Sequence, residues 1–349
     1  MAFREGNTVR IAVDIMGGDF APRAIVEGAL LSAGQNPHNQ IILVGKSEVF
    51  QTLGHLPDNV STVMAATVMG MDESVENLMG KKDSSIWVAT KLVKDGAADA
   101  VVSAGSTGAQ MAAALLQFGR IKGITRPALA TVIPTARGGK ILLDIGANAD
   151  CTPDMLLQFA LMGEVYARIV LGIENAEVAL LSIGAEECKG NKLTIEAHQL
   201  LVASGLNFIG NREGRDLAAG NYDVLVTDGF TGNVALKLLE GVSSTIFAMI
   251  KEELQKNTKR KLGAALVRSG FRDIKKNLDY AEYGGAPLVG VKGISIICHG
   301  SSNAKAVKNA IKVAARCVEG DFLSQIDLAL TKNSEKTELP EDSKSDQDA

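Results

Sequence analysis

Residues 99–118 read DAVVSAGSTGAQMAAALLQF: an apolar strand, a loop of glycine and small polar residues, and an alanine-rich helix. The same order returns, in whole or in part, with six other short apolar runs: VRIAVDI (9–15), QIILVG (40–45), KILLDIGAN (140–148), VALLSIG (178–184), YDVLVTDG (222–229) and GISIICHG (293–300). Apolar runs of this length that alternate with helices are typical of βαβ units. The sequence therefore predicts an α/β fold with a mainly parallel sheet covered by helices.

The polar loops that follow these runs are expected to meet in space. Crossovers between parallel strands are right-handed, so the strand-to-helix loops collect at one edge of the sheet. Open α/β sheets bind their ligands at that edge. We therefore predict one pocket, built from loops that lie far apart in the sequence.

The composition is that of a large α/β protein with an aliphatic core. The 349 residues are 46% hydrophobic but only 4% aromatic, so the core must consist mostly of alanine, valine, isoleucine and leucine. Few aromatic residues and a net charge of −4 argue against a nucleic-acid-binding surface. Four cysteines without a CxxC pair predict reduced thiols rather than a zinc ribbon or a disulfide framework.

The organisation of the chain predicts one cytoplasmic α/β domain. Its first ten residues lack the apolar core of a signal peptide, and no uncharged apolar run reaches the roughly 18 residues of a membrane span. Without a recognisable linker, residues 1–330 are interpreted as a single domain with a helical excursion near 251–278. Residues 331–349 are polar without apolar periodicity, which predicts a disordered tail.

Glycine-containing loops provide most of the candidate phosphate-binding residues. In the loop after residue 104, backbone N–H groups and the positive end of the next helix suit an anion, although Ser106 or Thr107 can equally cap that helix. The predicted phosphate- or substrate-binding residues are Gly17, Gly18, Gly105, Ser106, Thr107, Gly108, Asp228, Thr231, Gly232 and His299.

Three side chains suit electrostatic or acid–base chemistry. Lys189 can neutralise a phosphate as a point charge, or it is simply solvated. Asn233 can donate its amide to a phosphate or an oxyanion, or it caps a helix. His299 can act as a general base, or it is a structural histidine at a strand end. Aspartates beside the loops, Asp14 and Asp144 among them, cap helices more often than they bind Mg²⁺, and we predict no required metal or cofactor.

The segment 251–278 contains nine Lys or Arg and three acidic residues beside leucines at helical spacing. It predicts one or two protruding amphipathic helices. Three interpretations stay open: an anionic membrane surface, an acidic carrier protein, or a solvated helix pair, in the dimer contact for example. The residues predicted to make a membrane or carrier contact are Lys259, Arg260, Lys261, Leu262, Leu266, Arg268 and Phe271.

Nine motifs in a fixed order resemble one family over roughly residues 9–320. They are IAVDIMGGDFAP, KKDSS, SAGSTGA, GRIKGITRPALA, LDIGAN, SIGAEECKGN, VTDGFTGNV, EYGGAPLVG and HGSSNAKA. The chain resembles the bacterial phosphate acyltransferase (acyl-[acyl-carrier-protein]:phosphate acyltransferase, PlsX-type) family. The resemblance implies a Rossmann-like three-layer α/β/α fold, a homodimer, and important roles for Lys189 of the KGN motif and Asn233 of the TGNV motif.

The resemblance also implies a reaction. Family members convert acyl-[acyl-carrier protein] and inorganic phosphate into an acyl phosphate, which a membrane acyltransferase uses to acylate glycerol 3-phosphate in phospholipid synthesis. Two other enzymes stay open: a phosphotransacetylase-like enzyme, or a dehydrogenase on a similar fold, although the first strand lacks the GxGxxG fingerprint. A non-catalytic peripheral membrane scaffold that recruits lipid enzymes through 251–278 is the alternative from a different class.

Overall fold

The structure, a computed structural model, describes residues 8–277 and 280–337. Its strands are β1 (Arg10–Asp14), β2 (Gln40–Gly45), β3 (Val60–Met64), β4 (Ala100–Ser103), β5 (Ala128–Thr135), β6 (Gly138–Leu143), β7 (Val178–Leu181), β8 (Phe208–Arg212), β9 (Val224–Val226), β10 (Ala286–Val289) and β11 (Ile294–Ile297). Its α-helices are α1 (Arg23–Gln35), α2 (Ser47–Phe50), α3 (Ser85–Lys94), α4 (Thr107–Phe118), α5 (Pro153–Tyr166), α6 (Lys192–Ala203), α7 (Asp216–Ala219), α8 (Gly229–Gln255), α9 (Thr258–Leu266), α10 (Arg268–Asn277), α11 (Ala304–Glu319) and α12 (Phe322–Thr337).

The strands form one sheet in the order β3-β2-β1-β4-β11-β10-β5-β6-β9-β7-β8. A first block, β1 to β4 with β11, is parallel throughout. A second block, β6 to β9, is also parallel throughout. Three antiparallel pairings join the blocks: β11 with β10, β10 with β5, and β5 with β6. The prediction of an α/β fold with a mainly parallel sheet is confirmed.

The three antiparallel pairings make the two blocks run in opposite directions. The carboxyl ends of the first block therefore lie at the edge of the sheet where strands of the second block begin. The prediction that all strand-to-helix loops collect at one edge is wrong, because it assumed a sheet without these reversals. The loops instead form two groups at opposite edges.

Helices cover both faces of the sheet. In β1, Ile11 and Val13 point into the core beneath α1 and α11, whereas Ala12 points the other way, toward α3. In β9, Leu225 packs against Leu236 in the first turns of α8. Parallel strands buried on both faces have continuous apolar sequences, which explains the seven runs that predicted the sheet.

Helix α8 carries the fold away from the sheet. Its first turns pack on the second block through Ala235, Leu236 and Leu239. An outer apolar stripe, by contrast, is exposed along most of its length: Phe230, Val234, Leu238, Val242, Ile246 and Met249. By length and composition alone this 27-residue helix is long and apolar enough to cross a membrane. The protruding helical segment predicted at 251–278 is confirmed. Helices α9 and α10 continue α8 as far as residue 277, and residue 278 lies outside the described residues.

The C-terminal segment differs from the prediction in part. Residues 331–337 continue α12 instead of starting a disordered tail. The helix is supported by Leu330, which packs on the core, and by hydroxyls that bond back to carbonyls one turn earlier, Thr331 to Asp327 and Ser334 to Leu330. The rest of the predicted tail, 338–349, lies outside the described residues, as do residues 1–7.

Candidate active site

The first loop group consists of residues 16–19, 104–108 and 298–303, which follow β1, β4 and β11. Gly17 lies directly on Gly105, since a Cβ built on Gly17 would be 2.5 Å from the Gly105 nitrogen. Gly18 has a φ of +106°, and the next amide, that of Asp19, donates to the Gly300 carbonyl at 2.8 Å. The three glycine loops after these neighbouring strands therefore touch one another.

A buried carboxylate supports this group from below. Asp14 accepts hydrogen bonds from the Ser103 hydroxyl at 2.8 Å and from the Met16 amide at 3.1 Å. Burial raises the pKa of Asp14, and the hydrogen bonds only partly oppose that rise. Asp14 is 2% exposed, and its bond to Ser103 links the end of β1 to the end of β4. It therefore orients the loops and does not face solvent.

Two other predicted residues of this group, Ser106 and His299, have different surroundings. Ser106 precedes α4 without capping it through its side chain, so that alternative is not supported for Ser106. His299 is held by its own loop, since its Nδ1 accepts the Ser301 amide at 3.2 Å and lies 2.7 Å from the Ser301 hydroxyl. Nδ1 is therefore engaged with Ser301, while the residue as a whole is exposed.

The second loop group consists of residues 144–150, 182–191 and 227–233, which follow β6, β7 and β9. In the sheet β9 lies between β6 and β7, and Val226 is level with Leu143 on one side and with Leu180 on the other. Strands lie about 4.8 Å apart, so the three loops leave the sheet within about 10 Å of one another. Lys189 and Asn233 are both in this group.

Asp144 organises the loop after β6. Its carboxylate accepts from five N–H groups at 2.8–3.1 Å: the amides of Leu129, Gly146, Ala147 and Asn148, and the Asn148 side chain. A carboxylate with two oxygens so fully engaged holds the backbone in place. This arrangement favours the loop-orienting alternative for Asp144 over the Mg²⁺ alternative.

Asp228 caps α8, which separates the roles of three predicted residues. Its carboxylate accepts from the Thr231 amide and from the Thr231 hydroxyl, both at 2.8 Å. Asn233 therefore lies beyond the cap, and the capping alternative is wrong for it. Its exposed carboxamide lies over Gly146, where a Cβ would be 3.7 Å from the Asn233 Cγ, and it makes no hydrogen bond within the described chain.

Lys189 is presented by a tightly bonded turn. Its amide donates to the Glu186 carbonyl at 3.0 Å, and its own carbonyl accepts from the Ser182 hydroxyl at 2.9 Å. Its side chain lies on Gly184, where a Cβ would come within 2.8 Å of the Lys189 Cγ. Among the described residues no carboxylate pairs with its ammonium group, which is therefore available to an anion.

A half-buried thiol, which the sequence did not single out, also belongs to the second group. Cys151 contacts the Asn148 carbonyl through Sγ at 3.6 Å. Burial raises the pKa of Cys151 to about 11, and the nearby carboxylates of Asp144, Asp228 and Asp150 add to the rise. The thiol therefore stays protonated near neutral pH and is a poor nucleophile.

The predicted site residues are thus divided between the two groups. Lys189 and Asn233 share the second group with Asp228, Thr231 and Gly232. The remaining phosphate-binding candidates, Gly17, Gly18, Gly105, Ser106, Thr107, Gly108 and His299, lie in the first group at the opposite edge.

Comparison with known proteins agrees with the ordered motifs. Residues 9–325 match the family model described as "Fatty acid synthesis protein". A relative named phosphate acyltransferase, from Desulfitobacterium hafniense (strain DSM 10664 / DCB-2), is 56% identical over 323 residues, 91% of this chain and 96% of the relative. This chain belongs to the phosphate acyltransferase family. A family member from Heliobacterium modesticaldum (strain ATCC 51547 / Ice1) is 54% identical over 324 residues, 91% of this chain and 96% of the relative. The predicted family and the acyltransferase activity are confirmed.

Solved structures share the fold of the phosphate acyltransferase family at low identity. A phosphotransacetylase from Streptococcus pyogenes matches with a TM-score of 0.60 at 17% identity, covering 90% of this chain and 94% of that one. EutD phosphotransacetylase from Staphylococcus aureus matches with a TM-score of 0.57 at 16% identity, over 89% and 95%. At this identity the likeness concerns the fold alone.

Proposed function

We propose that this acyltransferase moves the acyl group of acyl-[acyl-carrier protein] to inorganic phosphate, and that the acyl phosphate feeds phospholipid synthesis. Family membership supplies the reaction class, an acyl donor and phosphate. The observation that carries the site assignment is the ammonium of Lys189, which has no carboxylate partner in the described part of the chain, at the same sheet edge as the exposed carboxamide of Asn233.

The second loop group is electrostatically suited to phosphate. Helices α5, α6 and α8 all begin there, at Pro153, Lys192 and Gly229. The N-terminus of a helix carries roughly half a positive charge, and three such ends reinforce the ammonium of Lys189. The carboxylates nearby are held by backbone amides, as in Asp144 and Asp228, so their charge is partly offset.

The chemistry follows from this arrangement. An oxygen of the phosphate attacks the thioester carbonyl and forms a C–O bond, and the carbonyl oxygen takes the negative charge. Collapse of this intermediate breaks the C–S bond and releases the carrier thiolate, which takes a proton from solvent. Lys189 holds the phosphate, and Asn233 donates its amide to the developing oxyanion. The enzyme supplies no nucleophile, in keeping with the protonated thiol of Cys151.

Release of free carrier thiol, measured with and without inorganic phosphate, tests the proposal. We expect thiol release and acyl phosphate formation only when both substrates are present. The same assay with acetyl-CoA separates the phosphotransacetylase-like alternative, and a nicotinamide-binding titration separates the dehydrogenase. Acceptance of acetyl-CoA with no turnover of the acylated carrier would refute the carrier-protein assignment. Membrane binding with no acyl phosphate formed would favour the scaffold.

The first loop group remains a proposed substrate-binding region. Since Ser106 leaves α4 uncapped, the first amides of that helix are available to an anion. Ser106→Asp would add a capping carboxylate at this position. It should stabilise the fold by about 0.5–1 kcal/mol and raise the KM of any substrate whose phosphate binds there. An unchanged KM for phosphate and for the acylated carrier would remove this loop from the site.

The apolar stripe of α8 supports the proposed homodimer. Six large apolar side chains in a row are an unusual surface for a monomer, and a second copy of the same helix would bury them. Val242 lies in the middle of this stripe and is 48% exposed. Val242→Glu should shift the protein toward monomer in analytical ultracentrifugation. A dimer of unchanged stability would place the interface elsewhere.

The tip formed by α9 and α10 is the proposed contact for a membrane surface or a carrier protein. Leu262 and Leu266 are 67% and 80% exposed there, beside the exposed cations of 259–261 and Arg268, while Phe271 is partly buried. Co-sedimentation with vesicles, with and without anionic lipid, tests whether the tip binds a membrane surface. Loss of binding in a Leu262→Asp, Leu266→Asp variant would support it. Vesicle binding that needs no anionic lipid would contradict the electrostatic part.

A further inference from the structure

The turn that presents Lys189 is held from the neighbouring strand by a buried side chain that the proposed chemistry does not use. Asn211 on β8 is 2% exposed, and its Nδ2 donates to the Glu186 carbonyl at 2.9 Å. That carbonyl also accepts the amide of Lys189 at 3.0 Å. The anchor of the Lys189 turn is therefore a single carbonyl oxygen with two donors, one from within the turn and one from β8.

A histidine fixes the orientation of this amide. His198 on α6 is 5% exposed, and its Nδ1 lies 3.0 Å from the Asn211 Oδ1. Because Nδ2 of Asn211 must point to a carbonyl, Oδ1 is left as the acceptor, so His198 carries its proton on Nδ1. The ring also packs edge-on against Phe208 at 5.1 Å. If the Asn211 carboxamide flipped, its Nδ2 would face the Nδ1–H of His198 and its Oδ1 would face the Glu186 carbonyl, so both hydrogen bonds would be lost.

Burying two polar side chains is unfavourable unless both are satisfied, and apolar residues at these positions would fill the same space. Asn211 instead uses its Nδ2 to bond the backbone of one exposed turn, while its Oδ1 is held by His198. On the opposite side of that turn the Ser182 hydroxyl donates to the Lys189 carbonyl at 2.9 Å. The backbone of Lys189 is therefore held at two points. Its carbonyl accepts from Ser182, and its amide donates to the Glu186 carbonyl that Asn211 also bonds.

We propose that Asn211, oriented by His198, and Ser182 are positioning residues that set where the ammonium of Lys189 stands for phosphate. The inference rests on the proposed function of Lys189. A displacement of about 1 Å at a reacting centre can cost on the order of 100-fold in rate, so a loosened turn should be visible in kinetics while the fold persists.

Asn211→Asp is the sharpest perturbation, because it keeps the shape and turns the donor into an oxygen that faces the Glu186 carbonyl. We expect kcat/KM for phosphate to fall by about 10- to 100-fold, with the KM for the acyl donor unchanged. Asn207→Asp is the matched control. Asn207 precedes the same strand, and its Nδ2 donates to the Asn175 carbonyl at 3.2 Å, away from Lys189.

A Lys189→Ala background separates positioning from a merely structural role. If Asn211 acts through Lys189, Asn211→Asp should cause little further loss once the lysine is gone. Ser182→Ala is a second test on a partly exposed residue, and it should show the same coupling. An equal fractional loss in both backgrounds, or folded variants with unchanged phosphate kinetics, would overturn the inference. If Lys189→Ala itself kept full activity, the proposed function of Lys189 would fail instead.

Discussion

Gly232→Ala tests the packing that seats α8, and with it Asn233, on the second loop group. A Cβ on Gly232 would lie 1.9 Å from the Asp144 carbonyl oxygen and 2.9 Å from the Thr227 methyl. The carbonyl belongs to the backbone just past β6, so it cannot move aside as a flexible side chain would. The start of α8 has to lift, and we expect the free energy of unfolding to fall by about 1–3 kcal/mol, the usual cost of overpacking.

The measurement is urea unfolding at matched protein concentration, together with turnover of the folded variant. Gly34→Ala is the control, because Gly34 lies in the last turn of α1 with nothing within 4 Å of a built Cβ. That substitution should stabilise by up to about 1 kcal/mol, through helix propensity alone. Gly232→Ala should also lower kcat, since Asn233 is the next residue. A Gly232→Ala protein that unfolds at the same urea concentration as the parent would refute the reasoning.

Two further predictions concern the charged and titratable groups. Lys189→Ala should lower turnover by about 10²- to 10³-fold, whereas Lys91→Ala on α3, whose side chain is 57% exposed, should leave it unchanged in the same thiol-release assay. Burial raises the pKa of Cys298 and of Cys317 to about 12. The unfolded chain therefore loses these protons first, and the free energy of unfolding should fall as pH rises from about 9 toward 12. A Tm that stays level over this range, or a Cys317→Ala variant with an unchanged slope, would contradict that assignment.

The fold was predictable where local patterns carry it. All seven apolar runs became strands, because a buried parallel strand must be apolar on both faces. The pattern omitted four strands: the edge strands β3 and β8, and the strands β5 and β10, which reverse the direction of the sheet. The run at 128–135 is separated from the next strand by only Ala136 and Arg137, the spacing of a hairpin, so a signal was present. Pairing direction is otherwise a long-range property that short windows do not contain.

The candidate site was predictable in its residues but not in its geometry. The KGN and TGNV motifs led to Lys189 and Asn233, which do share one edge of the sheet. The polar support of these residues could not be foreseen, because Asn211 and His198 lie in ordinary strand and helix sequence. Only the fold brings them next to the turn at Glu186.

The unbroken run of α8 gives the molecule a long lever arm. Twenty-seven residues at 1.5 Å each span about 40 Å, so a tilt of about 5° at the base would swing Gln255 by about 3.5 Å. Among the described residues, α8 packs on the core of the sheet through its first turns, at Ala235, Leu236 and Leu239. The direction in which α9 and α10 point is therefore set by whatever binds the exposed part of α8. The first turns, which carry Asn233, can stay in place while the far end moves.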